Sequence, residues 1–291
     1  MNPIDPDSQG APADDAPPFA GLTPERVLDA LDSVLIPVGT RTDGRLLPLN
    51  SYENRVYQVG VEDGAPVVAK FYRPERWSNT AILEEHAFVA SLVEREIPAV
   101  PARVLEGATL HEFDGFRFSV FERRGGRAPD LDHTDTLEWL GRFIGRIHAV
   151  GGLESYRERP TLDIETFGYE PRDFLLTHGF IPADVREAWE TVVSMALEGV
   201  AQCFDRAGDV RHLRLHGDCH PSNVLWTDAG PISSISTIAE WVRRFRIYGC
   251  CCPPDARTHR ARSRICSPAT KISASSISVS CIWWKPCARS G

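Results

Sequence analysis

The residues best suited to chemistry lie in Leu213-Arg214-Leu215-His216-Gly217-Asp218-Cys219-His220-Pro221-Ser222-Asn223-Val224-Leu225-Trp226. Here H-x-D is followed by four residues and then Asn, a spacing that suits phosphoryl transfer. That reaction asks a protein for positioning and charge neutralisation rather than covalent chemistry. Asp218 is placed to accept the proton of an attacking hydroxyl. Asn223, five residues on, is placed to hold through its amide oxygen the magnesium ion that bridges the phosphates. The apolar flanks read as strands that fix both side chains on a rigid loop. Alone, the same residues also suit a polar turn whose Asp and Asn cap backbone groups, so the rest of the chain decides between the two.

A second charged group strengthens the chemical reading. Val67-Val68-Ala69-Lys70-Phe71 predicts a strand in which the one charge faces away from the core. In a kinase, a lysine so placed reaches the α- and β-phosphates and pairs with an acid on the next helix, and that helix offers Glu84 and Glu85. The phosphate-covering loop departs from the usual rule. Asn50-Ser51-Tyr52-Glu53-Asn54-Arg55 has no glycine where G-x-G-x-x-G is expected. Backbone N–H groups of a hairpin turn, or the Ser51 hydroxyl, can still cradle phosphate.

The elements that must position these residues follow from patterning. Thr23-Pro24-Glu25 opens a helix carrying Val27, Leu28, Leu31 and Leu35. Residues 50–59 and 65–72 predict two strands joined by a Glu-Asp-Gly turn. A helix starts at Ser78-Asn79, with Ile82, Leu83, Phe88, Val89 and Leu92 on its apolar side. Strands at Ala102–Leu105 and Phe116–Phe121 come next, then a break at Gly125-Gly126. Beyond it, residues 137–148 and 183–207 predict amphipathic helices, the second with Val185, Trp189, Val192, Val193, Ala196 and Leu197 inward. A small mixed sheet with one helix thus precedes a mostly helical region: an α+β, two-lobe, protein-kinase-like layout with a cleft between lobes. The expected domains are a disordered tail over 1–20, a nucleotide-binding lobe over 21–124 and a partial helical catalytic lobe over 125–231.

LNSYENRVYQ, VVAKFYRPERW, ILEEHAF and RLHGDCHPSNVLW together resemble the bacterial stress response kinase A family, within the aminoglycoside phosphotransferase and choline kinase superfamily. The likeness runs from about residue 22 to residue 231. It implies a cytoplasmic, monomeric serine/threonine protein kinase that depends on ATP and magnesium and serves envelope and oxidative stress. It also implies that Asp218 is the proton acceptor, Asn223 a magnesium ligand and Ser51 a nucleotide-site residue. Lys70 would hold the phosphates, with Glu85 as its partner.

The composition then breaks. The chain has 291 residues, with 32 Lys and Arg against 40 Asp and Glu, for a net charge of −8. Yet Trp241–Gly291 carries ten basic residues and one acid, Asp255, leaving 22 basic against 39 acidic residues ahead of it. Six of the eight cysteines, Cys250, Cys251, Cys252, Cys266, Cys281 and Cys287, fall in that stretch. A kinase of this kind also needs a metal-binding aspartate soon after Asn223, and Ile232–Trp241 has none. One lost base near codon 231 explains all three features. If each codon takes the last base of one residue and the first two of the next, Trp241–Val242 must give Gly and each Cys–Cys step Leu. Residues 232–252 then permit L-V-D-L-D-D-C-R-M-G-P-A-V-Q-D-L-W-M-L-L. The hidden aspartate straddles Ser234 and Ile235, so residues 232–291 read as an out-of-frame, unstructured segment, and impaired activity follows.

Other classes are weighed against this. A small-molecule kinase acting on an aminoglycoside, choline or homoserine hydroxyl shares the catalytic loop. A pseudokinase-like module would bind nucleotide without turnover. A cysteine-rich metal or redox module lacks paired CxxC spacing. The acidic balance argues against a nucleic-acid partner. The lack of a run of about 18 apolar residues argues against a membrane span, and the acidic, Pro-rich N-terminus is no secretory signal.

Overall fold

The computed structural model describes residues 17–208 and 212–233 and the backbone of 240–243. Two compact units divide the chain, Met1–Asn79 with Ala102–Arg123, and Thr80–Pro101 with Arg124–Gly291.

The first unit begins with α1, Pro24–Leu35, whose start is set by Thr23: its Oγ1 accepts from Arg26 N at 3.3 Å. Five strands follow: β1 Thr42–Leu49, β2 Arg55–Val61, β3 Val67–Phe71, β4 His111–Phe113 and β5 Phe116–Glu122. They form an antiparallel sheet in the order β1-β2-β3-β5-β4. One face carries Val59, Val61, Val67, Ala69, Phe71, Phe118 and Val120, and α1 packs on it through Val27, Leu31 and Leu35. The period of two in β3 therefore places Lys70 on the opposite face from this core.

Two strand expectations need correction. The strand expected from residue 50 begins only at Arg55, and residues 42–49 form β1, whose alternation is hidden by Gly44, Pro48 and an irregular register between Thr42 and Leu46. Ala102–Leu105 meets β5 at a single bridge, Ala102 to Phe121. On the side away from β3, the partner of β5 is instead β4, joined through Asp114 (φ 48°) and Gly115 (φ 79°). Two positive φ values between directly paired Phe113 and Phe116 make this an Asp-Gly hairpin turn.

The second unit holds the long helices α2 Asn79–Glu94, α3 Thr134–Gly151 and α5 Arg186–Ala207, with a short α4 at Glu170–Thr177. Helix α2, expected in the N-terminal lobe, groups by its contacts with this unit. Its Phe88 and Leu92 join Leu140, Phe143, Ile144, Ile147 and Val150 of α3 in one core with Cys219 and Val224. Helix α5 buries Leu197, Val200 and Cys203. Val185 and Val192, expected inward, are 45% and 64% exposed, because the buried stripe lies further along the helix.

The segment that carries Asp218 and Asn223 is framed by short strands. β7, His212–Leu215, pairs antiparallel with β10, Glu240–Arg243, which runs parallel to β6, Thr161–Leu162. β8, Val224–Thr227, and β9, Gly230–Ser233, form a hairpin. Within the segment expected to lack structure, residues 232–233 and the backbone of 240–243 are thus strand, and the remainder lies outside the described residues. No helix among the described residues is long and apolar enough to cross a membrane.

Candidate active site

His216–Asn223 forms a tight loop between β7 and the 3-10 turn Pro221–Asn223 that leads into β8. Gly217 (φ 78°) takes the left-handed conformation that reverses the chain. His216 and Cys219 are buried on either side, while the Asp218 side chain is about a third exposed. The loop is held by its own polar groups. Asp218 N donates to His216 Nδ1 at 3.3 Å, and Ser222 N to His220 Nδ1 at 3.2 Å. Asn223 Nδ2 donates to the Asp218 carbonyl and to Asp218 Oδ2, each at 2.9 Å. The expected acid and amide are therefore in direct contact.

Helix α3 presses against β7 just before this loop. A Cβ at Gly151 would lie 2.0 Å from the Arg214 carbonyl oxygen, so only glycine permits this approach. On the other side, Arg127 and Trp226 exchange hydrogen bonds at 3.0 and 2.7 Å, fixing the chain after the Gly125-Gly126 break along β8. Burial, opposed by the charge of Asp218, holds His216 below the ordinary histidine value. His216 is thus a neutral ring that accepts at Nδ1 and carries its proton on Nε2.

Glu85, the expected partner of Lys70, lies in the second unit. Arg159 Nη2 meets its Oε2 at 2.6 Å, with side chains 1% and 3% exposed, and Arg159 Nε donates to the Ala81 carbonyl at 2.9 Å. Glu84 instead accepts from the backbone N–H groups of Arg157 and Glu158 at 2.8 and 2.9 Å. The two candidate acids therefore separate into a buried ion pair and a backbone cap. Arg159 escapes sequence reasoning because it sits in an aperiodic, charge-rich stretch. Arg214 is the other missed residue: it is buried, its guanidinium 4.7 Å from the Phe88 ring centroid and 3.2 Å from Glu154. Its signal was a lone charge alternating with Leu213 and Leu215.

Lys70 and Ser51 lie in the first unit. Lys70 is 2% exposed, pairs across the sheet with Val56 and Ser119, and holds Nζ 4.7 Å from the Tyr72 ring centroid. Ser51 is half-buried in the loop between β1 and β2.

Among the described residues, no group of three or more His, Cys, Asp or Glu is arranged to hold a metal. Asn223 carries an amide oxygen, the donor type a hard cation takes, on the side chain whose Nδ2 is committed to Asp218. The second carboxylate would straddle Ser234 and Ile235, outside the described residues. Cys203 and Cys219 are buried thiols outside any disulfide, and the six C-terminal cysteines lie outside the described residues.

Residues 45–235 match the phosphotransferase enzyme family. The chain belongs to that family. The chain is 40% identical over 219 residues to "Stress response kinase A" of Salmonella choleraesuis, across 75% of its own length and 65% of the relative's. Identity is again 40%, over the same shares, to "Serine/threonine protein kinase RdoA" of Salmonella typhimurium. The chain thus spans just under two thirds of the length of these curated relatives. Its fold is that of amicoumacin kinase hAmiN, solved with AMP-PNP and Ca2+ (TM-score 0.60, 18% identity, 77% of this chain and 71% of that one). It is also that of the aminoglycoside phosphotransferase APH(3'')-Id of Streptomyces rimosus, solved with ADP and streptomycin (TM-score 0.58, 15% identity, 84% and 92%). The α+β class and the stress response kinase resemblance both stand.

Proposed function

We propose that this phosphotransferase carries the γ-phosphoryl group of ATP to serine or threonine hydroxyls of a protein, as a monomer in the cytoplasm. The observation that carries the reading is the contact between Asp218 and Asn223 on a loop fixed by β7 and β8. Asp218 Oδ2 receives the proton of the acceptor hydroxyl, and the Asn223 amide keeps that carboxylate aimed. Neutral His216 holds the Asp218 backbone without adding a competing charge. Lys70 and the Ser51 loop of the first unit bind phosphates, and Arg159 fixes Glu85 within the second. Magnesium, held in part by Asn223, supplies charge neutralisation along the phosphates when bound.

A protein acceptor is favoured over a small alcohol by the relative named a serine/threonine protein kinase. The solved neighbours named for amicoumacin and streptomycin are below 20% identity and speak for the fold. Because Asn223 lacks its carboxylate partner in the sequence, turnover by the chain as written is impaired. Labelled ATP offered with a panel of proteins, aminoglycosides, choline and homoserine tests the acceptor. Label on protein that vanishes in Asp218→Ala supports the reading. Label on a small alcohol alone moves it to the small-molecule class, and nucleotide binding with no transfer in a frame-restored chain moves it to a pseudokinase.

A further inference from the structure

The nucleotide loop of this chain has no glycine, and its side chains are tied down instead. In a glycine-rich loop, backbone freedom lets N–H groups approach phosphate closely. In Asn50–Asn54 that freedom is absent, yet Tyr52 at the tip projects fully into solvent. Behind the tip, two consecutive side chains reach one short stretch that follows the Lys70 strand. Glu53 Oε1 accepts from the Trp77 indole Nε1 at 3.0 Å, and Glu53 Oε2 meets Arg76 Nε at 3.4 Å. The Glu53 side chain is 15% exposed, so the bond to the indole is largely shielded from water. Asn54, 2% exposed, accepts at Oδ1 from Arg73 N at 3.1 Å.

Trp77 is fixed in turn. Arg76 stacks on its ring at 4.6 Å, and Arg117 of β5 donates to the Trp77 carbonyl at 2.7 Å. These residues form a closed bracket within the first unit: β2 leaves the loop at Arg55, β3 carries Lys70, and Arg73–Trp77 returns to grip Glu53 and Asn54.

We propose that Glu53 and Trp77 are positioning residues of the nucleotide site, clamping the glycine-free loop so that Ser51 and its backbone meet the phosphates that Lys70 binds. The inference rests on the nucleotide-binding reading above. Neither residue touches the nucleotide itself. Each acts by holding the loop in its bound shape beforehand, which lowers the ordering cost of binding. Glycine supplies reach at the expense of order, whereas a bracketed loop supplies order directly.

The test measures affinity of the full chain for a fluorescent ADP analogue with magnesium, alongside the melting temperature without nucleotide. Trp77→Phe keeps the ring and removes the indole N–H. Glu53→Ala removes the acceptor, and Glu53→Gln restores an oxygen for the indole. The clamp predicts that Trp77→Phe and Glu53→Ala each weaken binding roughly tenfold, the range a lost charge-assisted hydrogen bond supplies. The double variant should be no weaker than Glu53→Ala, Glu53→Gln should stay within about threefold of the parent, and the nucleotide-free melting temperature should hold. Unchanged affinity in Trp77→Phe and Glu53→Ala overturns the clamp while leaving the nucleotide reading intact. So does a loss of affinity that follows a falling melting temperature and is not restored by Glu53→Gln, because it marks a merely structural role. A parent chain that binds no ADP analogue overturns both.

Discussion

Asn223 holds Asp218 twice with one nitrogen: Nδ2 lies 2.9 Å from the Asp218 carbonyl and 2.9 Å from its Oδ2. The proposed base is thereby fixed at backbone and side chain by the residue proposed to hold metal. Asn223→Ala should cost about 1–3 kcal/mol in urea unfolding, since it strips a charge-assisted donor from the loop. Asn223→Asp should cost more, because it sets a second carboxylate against Asp218. Equal losses for the two variants would show that the Nδ2 contact does not order the loop.

Acid should weaken the fold through His216. Its folded pKa is lowered by burial, whereas in the unfolded chain it titrates near the ordinary 6.5. Below that pH the unfolded state takes up a proton the folded state refuses, so stability falls as pH falls. The share of His216 is at most about 1.4 kcal/mol per pH unit, the limit for one proton. His216→Asn, which can still accept from Asp218 N, should flatten the stability curve between pH 6.5 and 5. An unaltered slope in urea titrations across that range would show that His216 does not set the acid sensitivity.

The Arg159–Glu85 pair is the most deeply buried ion pair among those described, at 1% and 3% side-chain exposure. Arg159→Met takes the guanidinium away from a buried carboxylate and should cost about 3–5 kcal/mol. Adding Glu85→Leu should cost less than the sum of the two single losses, because both changes break the same pair. Chemical denaturation of the single and double variants reads this directly.

Two glycines should respond in opposite senses to alanine. At Gly151 the new Cβ would sit 2.0 Å from the Arg214 carbonyl, so α3 must move off β7, at about 1–3 kcal/mol. At Gly199, within α5, nothing lies within 4 Å, and alanine should stabilise the helix by up to about 1 kcal/mol. Thermal melts of the two variants should shift in opposite directions.

Much of the candidate site is legible in the amino-acid sequence, because the phosphoryl-transfer reading looks for particular residues at particular intervals. Spacing puts Asp218 and Asn223 on one loop, but their direct contact is legible only in the structure, where the 3-10 turn at Pro221–Asn223 brings the amide back to the carboxylate. Lys70 is legible as an odd charge in an apolar strand, although its near-complete burial is not, because burial depends on what covers the second sheet face. Choosing between Glu84 and Glu85 is beyond periodicity: neighbours on one helix, they are told apart by Arg159 and by two backbone N–H groups more than 70 residues away. The Asp114-Gly115 turn is legible in type but easily passed over, so the strand expected at residues 102–105 lies instead at β4. The grip of Trp77 on Glu53 joins residues 24 apart across a hairpin and leaves no mark in local pattern.

The most direct test is the rate of magnesium-dependent phosphate transfer from labelled ATP by two proteins, the chain as written and one with the reading frame restored after codon 231. The restored chain should transfer phosphate, and Asp218→Asn should abolish that transfer. The chain as written should be at least about 100-fold slower, for want of one metal-holding carboxylate. Equal rates in the two, or transfer by the restored chain that survives Asp218→Asn, would contradict the assignment of Asp218 and the missing carboxylate to phosphoryl transfer.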